Sequence, residues 1–152
     1  MPDMLVRLYD LPPLPSLPEG VTVRRAMPYE RYEVVDWVRQ TFSPGWASEV
    51  ESAYGHLPVR CFIATEGGRI LGFACHDATC KNFFGPTGVA EDQRGRGLGK
   101  ALFLHCLHAM AADGYAYAII GGAGPTGFYE KAVGATVISD SVPGIYRDRL
   151  AN

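Results

Sequence analysis

The sequence has no apolar run near the roughly 20 residues that a membrane-crossing helix needs, which argues against a membrane span. Its opening, MPDMLVRLYDLPPLP, lacks the apolar centre of a secretory signal, so a cytoplasmic protein is expected. Charge of one sign is scarce in excess: 14 Lys and Arg stand against 16 Asp and Glu, leaving −2. No global field therefore draws the chain to nucleic acid or to an anionic membrane. The 4 cysteines, Cys61, Cys75, Cys80 and Cys106, show neither C-x-x-C spacing nor a disulfide framework. Three of them sit in apolar segments, where a free thiol behaves as a small hydrophobe. A metal site built from Cys75, Cys80 or His76 lacks ligand spacing, and no metal is expected. No internal repeat is present.

What remains is one domain's length, 152 residues with 47% hydrophobic and 20% charged residues, enough to bury a core. The proline-rich stretch LYDLPPLPSLPEG can form neither a helix nor a central strand. Residues 1–20 are accordingly read as an N-terminal arm, extended or packed down, and residues 21–152 as a single domain. VTVRRA reads as a strand. Val34, Val38 and Phe42, with Tyr32 and Val35 beside them, give an amphipathic helix. Ser43-Pro44 restarts the chain as cap and first helical residue, with Trp46, Val50, Ala53 and Tyr54 on a second helix. VRCFIAT and ILGFACHDA are strands joined through Gly67-Gly68, whose positive φ suits a tight hairpin.

FFGPTGVAED follows as an edge or bulged strand because of Pro86. Leu98 to Ala112 is apolar on most faces and reads as a buried helix stopped by Asp113-Gly114. YAYAIIGG is a strand buried on both faces, and GPTGFYEKAVGA holds a short helix. ATVISD and IYRDRL close the chain as an expected hairpin. His105 and His108, three apart on the long helix, read as a solvated pair. The order is β-α-α-β-β-β-α-β-α-β-β. A right-handed crossover should make strands 83–90 and 115–121 parallel. The fold class is α/β, one mixed sheet with helices on its faces.

Gly95, Gly97 and Gly99 alternate with Arg96 and Leu98, between Arg94 and Lys100, at the start of that buried helix. Glycine disfavours helix by about 1 kcal/mol relative to alanine, so three at a helix start need a reason. A strand running into glycines and then a helix N-terminus presents unpaired N–H groups and partial positive charge to an anion. The spacing G-x-G-x-G is one residue short of a dinucleotide fingerprint. The P-loop pattern fails because Arg94 and Ala101 stand at its first glycine and its hydroxyl position.

The stretch does fit R-x-x-G-x-G, Arg94 through Gly99. Here the chain resembles the GCN5-related N-acetyltransferases, whose signature Q/R-x-x-G-x-G/A binds the pyrophosphate of acetyl-CoA. GFYEKAVGA resembles that family's downstream element, some 30 residues on in the family, and the inferred element order agrees from Val21 onward. The resemblance implies an acetyl-CoA N-acyltransferase fold and transfer of an acetyl group to a primary amine by direct attack in a ternary complex. It implies cofactor binding by Thr87, Gly88, Val89, Arg94, Gly95, Arg96, Gly97, Leu98, Gly99 and Lys100. It makes Tyr129 the general acid toward the departing thiolate, with Phe128 expected to pack inward.

The family's upstream glutamate has no counterpart in NFFGPTG, and Gly122 stands where an asparagine is frequent. His76 and Asp77, near a strand end, are carried as base or substrate contact, against solvated strand-end residues. The acceptor is a small-molecule or peptide amine, with no nucleic acid or membrane partner, and a homodimer stays open. A non-catalytic acyl-CoA sensor is the alternative, and a nucleotide-binding protein using the same turn is a second one.

Overall fold

A computed structural model describes residues 1–151. Its strands are β1 (Met4–Arg7), β2 (Val21–Arg25), β3 (Cys61–Glu66), β4 (Arg69–His76), β5 (Phe83–Val89), β6 (Tyr117–Ile120) and β7 (Thr136–Val137). Its helices are α1 (Arg31–Thr41), α2 (Pro44–Ala53), α3 (Leu98–Ala112) and α4 (Thr126–Val133), with short 3-10 turns at Pro28–Glu30 and Glu91–Gln93. All seven strands form one mixed sheet in the order β2-β3-β4-β5-β6-β1-β7. Among the described residues no helix is long and apolar enough to cross a membrane.

Period-two alternation sorts side chains onto the two faces. Phe62 and Ala64 of β3, with Ala74 of β4, join Leu98, Leu102, Cys106 and Met110 of α3 in one core. Cys61, Ile63, Phe73 and Cys75, their alternates, join Val34, Val38, Ala47 and Val50 of α1 and α2 in the other. Burial pushes the thiols of Cys75 and Cys106 well up, so they serve as hydrophobes. The hairpin turn expected at Gly67-Gly68 forms, with φ +57° and +75°. Ser43 Oγ accepts from the Trp46 N–H at 3.1 Å, capping α2 as expected.

β5 and β6 are parallel, as the crossover rule requires, but only Phe83↔Ile119 and Phe84↔Ile120 pair. Beyond these the strands separate. β5 keeps its antiparallel pairing to β4 through Thr87, Gly88 and Val89, after a register shift opposite Gly85-Pro86. Gly88 lies under the Phe42 ring, and a Cβ there would stand 2.5 Å from it. A larger residue there would require the Phe42 ring to move.

The structure departs from the sequence reading at both chain ends. Met4–Arg7 lies within the residues read as an arm, yet it is a strand inside the sheet, antiparallel to β6 on one side and β7 on the other. Met4 and Val6 are fully buried by the alternation MLVR. Four residues are too short a run for periodicity to announce. The prolines that follow are packed down: Leu8 is buried, and the Pro12 carbonyl lies 2.8 Å from His108 Nε2. His105 and His108 are therefore not a solvated pair; His105 stacks near Phe62, ring centroids 5.6 Å apart. At the other end the expected hairpin is absent. Only Thr136–Val137 forms a strand, pairing with Met4 and Leu5, and residues 138–151 are turns and irregular chain.

Candidate active site

Two cavities open where β5 and β6 part. The first, about 390 Å³, lies on the α3 face and is lined by Thr87–Val89, Gln93–Gly95, Gly97–Lys100, Phe103, Pro125, Phe128 and Tyr129. The second, about 790 Å³, reaches the α2 face past Trp46 and Glu49. Thr87, Pro125 and Tyr129 line both, so the cavities meet at these three residues.

The floor of the first cavity is backbone. Ala90 donates to the Leu71 carbonyl of β4 at 2.9 Å. Alternation along the strand then turns the N–H and C=O groups of Val89 and Thr87 toward the gap left by β6. The Val89 carbonyl is approached there by Arg94 Nε at 3.4 Å. The bulge expected at Pro86 exists as a register shift against β4, and it is the departure of β6 that frees these groups.

At the end of β5 the chain turns through Glu91–Gln93 into the glycines. Gly95 and Gly97 adopt φ +84° and +77°, and a Cβ on either would meet nothing within 4 Å. Both open directly into free space. Among the described residues the N–H groups of Gly95, Arg96 and Gly97 donate to no backbone acceptor. The first N–H groups of α3 lack partners as in any helix. Arg94 and Lys100 line this opening. The arrangement fits a ligand with an anionic head and a slender, polar tail running along β5.

Arg96 is the exception among the expected anion ligands. Its guanidinium turns away from the cavity, 3.3 Å from both Glu66 carboxylate oxygens and 2.7 Å from Gln93 Oε1. Arg96 ties the loop to the end of β3, and its bond holds the Glu66 carboxyl below its usual value. Gln93, which sequence reading passed over, faces the cavity in its place.

Tyr129 and Phe128 have exchanged their expected places. Tyr129 is buried, its ring 5.1 Å from Phe103 at 62°, whereas Phe128 is 40% exposed. Adjacent helical residues face different directions, and periodicity alone could not say which faced the core. Burial raises the Tyr129 phenol above its ordinary value, so it stays protonated through the neutral range.

His76 and Asp77 line neither cavity. His76 is fully buried, with Nδ1 2.6 Å from Asp77 Oδ2 and Nε2 3.4 Å from Arg25 Nη1. Asp77 Oδ1 accepts the Asn82 N–H at 2.7 Å, and Arg60 lies 3.7 Å away. Burial pushes the Asp77 carboxyl up. The His76, Asn82 and Tyr115 hydrogen bonds outweigh it and hold the carboxyl below its usual value. His76, Asp77 and Asp113 bring ligand atoms within 4.8 Å of one another, but two of the three are committed to each other and Asp113 is exposed. The pair pins the β4–β5 connection. Gly122 offers no free donor either, since its N–H is bonded to Asp3 Oδ1 at 2.8 Å.

Parallel strands that part above a glycine-rich helix start define the acyl-CoA N-acyltransferase class of fold. Residues 58–132 match the family model described as the acetyltransferase (GNAT) domain. Over these residues the chain is similar to the GCN5-related N-acetyltransferases. It is similar to a GCN5-related N-acetyltransferase of Sphaerobacter thermophilus, with 26% identity, TM-score 0.73, and coverage of 90% of this chain and 48% of that one. A GNAT family acetyltransferase of Brucella melitensis in complex with acetyl-CoA shares 19% identity at TM-score 0.59, over 78% of this chain and 86% of that one. An Escherichia coli GNAT family N-acetyltransferase in complex with CoA shares 23% identity at TM-score 0.52, over 66% of this chain and 61% of that one. No curated protein matches the sequence. The chain spans about half the length of the Sphaerobacter protein.

The role assigned to Asp77 has a pH signature. A carboxyl held low in the folded state stabilises above its unfolded value, near 3.9, and that contribution is lost as pH falls through the folded value. Asp77→Asn should cost about 1–3 kcal/mol at neutral pH and flatten the fall of stability below about pH 4. Urea titrations across pH 2–7 check this; equal costs at every pH would contradict the assignment.

Proposed function

We propose that this domain transfers the acetyl group of acetyl-CoA to a primary amine, by direct attack within a ternary complex. One observation carries the reading: two cavities from opposite faces of the sheet meet at Thr87, Pro125 and Tyr129. A donor on the α3 face and an acceptor on the α2 face would touch only there.

The residues present fit acetyl-CoA. Gly95 and Gly97 leave room for a pyrophosphate against unpartnered N–H groups, with Arg94 and Lys100 supplying positive charge. The exposed backbone of Thr87 to Val89 offers donors and acceptors to the amides of a pantetheine arm. Acetyl-CoA supplies an electrophilic thioester carbonyl and a thiol leaving group. A backbone N–H held in place toward the developing oxyanion contributes about 3–4 kcal/mol to lowering a barrier.

Tyr129 stands at the junction as a neutral phenol, able to protonate the departing thiolate. A thiol titrates near 8.5 and a phenol near 10, so the transfer runs uphill by about 2 kcal/mol and is completed when water reprotonates the phenolate. Burial raises the phenol further and so makes it a weaker acid. Among the described residues, the three that line both cavities include no carboxylate or histidine. The amine therefore sheds its proton to water in the open second cavity, and His76 serves the scaffold.

Acetyl-CoA should raise the melting temperature, because it binds only the folded state. Gly97→Val should remove that shift while leaving a cooperative melt without ligand. Absence of a shift in the wild type at millimolar CoA would remove the cofactor from the account.

Tyr129→Phe should lower kcat about 10²–10⁴-fold with CoA affinity nearly unchanged, since the phenol acts late in the reaction. Pre-steady-state turnover with a reactive amine measures this. Unchanged chemistry would make Tyr129 a packing residue alone.

A further inference from the structure

The second cavity carries information about the acceptor that the transfer reaction does not use. Glu49 is its only acidic lining residue among the described residues, on α2, and it does not reach the first cavity. Glu49 Oε1 accepts the Thr79 hydroxyl at 2.6 Å, a bond that fixes the carboxylate across from the β4–β5 connection. Glu49 forms no ion pair among the described residues. Among the described residues the Thr79 hydroxyl is the one side-chain donor to this carboxylate, and Oε2 accepts from no protein donor.

Trp46, one turn earlier on α2, and Tyr146, from the chain after β7, line the same space. The Tyr146 hydroxyl comes so close to Gly121 that a Cβ there would stand 2.9 Å from it. Burial, then the charge of Glu49, raises the Tyr146 phenol, so it is neutral beside that carboxylate. Aromatic rings next to a carboxylate hold ammonium groups and their alkyl stems.

We propose that the acceptor carries a second, non-reacting positive charge, as an alkyl diamine does, and that Glu49 binds it. The inference rests on the transferase reading above. The reacting nitrogen must reach the junction at Thr87 and Tyr129. Glu49 lines only the acceptor side, so it meets the part of the acceptor that does not react. Arg149 is the cationic side chain lining this cavity among the described residues. It is exposed and lies over the Tyr146 ring with its guanidinium carbon 5.9 Å from the centroid. An acceptor with a carboxylate at its far end would use Arg149 instead, which gives the test its competing arm.

The experiment compares kcat/KM for butanediamine, butylamine and aminobutyric acid, with acetyl-CoA saturating, in wild type and Glu49→Gln. Glutamine keeps an oxygen for the Thr79 hydroxyl and removes only the charge. CoA-dependent thermal stabilisation of the variant confirms that it is folded with the first cavity intact. Wild type should favour butanediamine over butylamine by about tenfold or more, and the ratio should collapse toward one in Glu49→Gln. A wild-type ratio near one, a ratio that survives the substitution, or a preference for aminobutyric acid overturns the proposal while leaving the transferase reading intact. Stabilisation by CoA with no acetylation of any amine is a different pattern; it overturns the transferase reading, and the Glu49 proposal with it.

Discussion

Every functional feature of this domain depends on where β5 and β6 stop pairing. Two registered pairs, Phe83↔Ile119 and Phe84↔Ile120, join them, and then the ladder ends. A central strand whose backbone groups lack a neighbour is costly, because buried N–H and C=O groups require partners. The sheet tolerates the gap because a ligand can supply them. The same gap lies where the cavities on the two faces of the sheet share Thr87, Pro125 and Tyr129.

The N-terminal segment holds that gap open. β1 lies on the far side of β6, and Asp3, immediately before it, accepts the Gly122 N–H at 2.8 Å. The Pro2 carbonyl accepts the Ala123 N–H at 2.7 Å. Together they draw the chain after β6 away from β5. On the other flank, β4 holds β5 beyond its bulge, with Thr87 Oγ1 donating to the Phe73 carbonyl at 3.0 Å. The Phe42 ring, packed against Gly88, supports it from the α1 side. α3 then directs its glycine-rich start at the opening.

The elements with strong local signals were legible in the sequence. α3 spans Leu98–Ala112, as its apolar run and the Asp113-Gly114 stop imply. The Gly67-Gly68 hairpin, the Ser43 cap and the parallel β5–β6 pair all follow from turn chemistry, capping and crossover handedness. What stayed hidden depends on tertiary partners. Met4–Arg7 is a strand only because β6 and β7 flank it. The chain near Tyr146 has strand-like composition but packs as turns over Gly121. In the site, the glycines announced an open turn at the start of α3, whereas the direction of Arg96 depended on Glu66, 30 residues away. His76 drew notice as a titratable group near a strand end, yet its bonds to Asp77 and Arg25 turn it inward. Glu49 gave no sequence signal; one glutamate on an amphipathic helix looks like any solvated residue until the cavity beside it is seen.

The central claim is that the unpaired edge of β5 is a ligand-binding edge. Amide hydrogen exchange, with and without acetyl-CoA, tests it most directly. Bound acetyl-CoA should slow exchange at Val89 and across Gly95–Ala101, because those N–H groups gain partners or are covered, while β1 and the His76–Asp77 turn stay unchanged. Protection confined to the α1–α2 surface or the proline-rich stretch, with Val89 exchanging freely in the complex, would contradict the account.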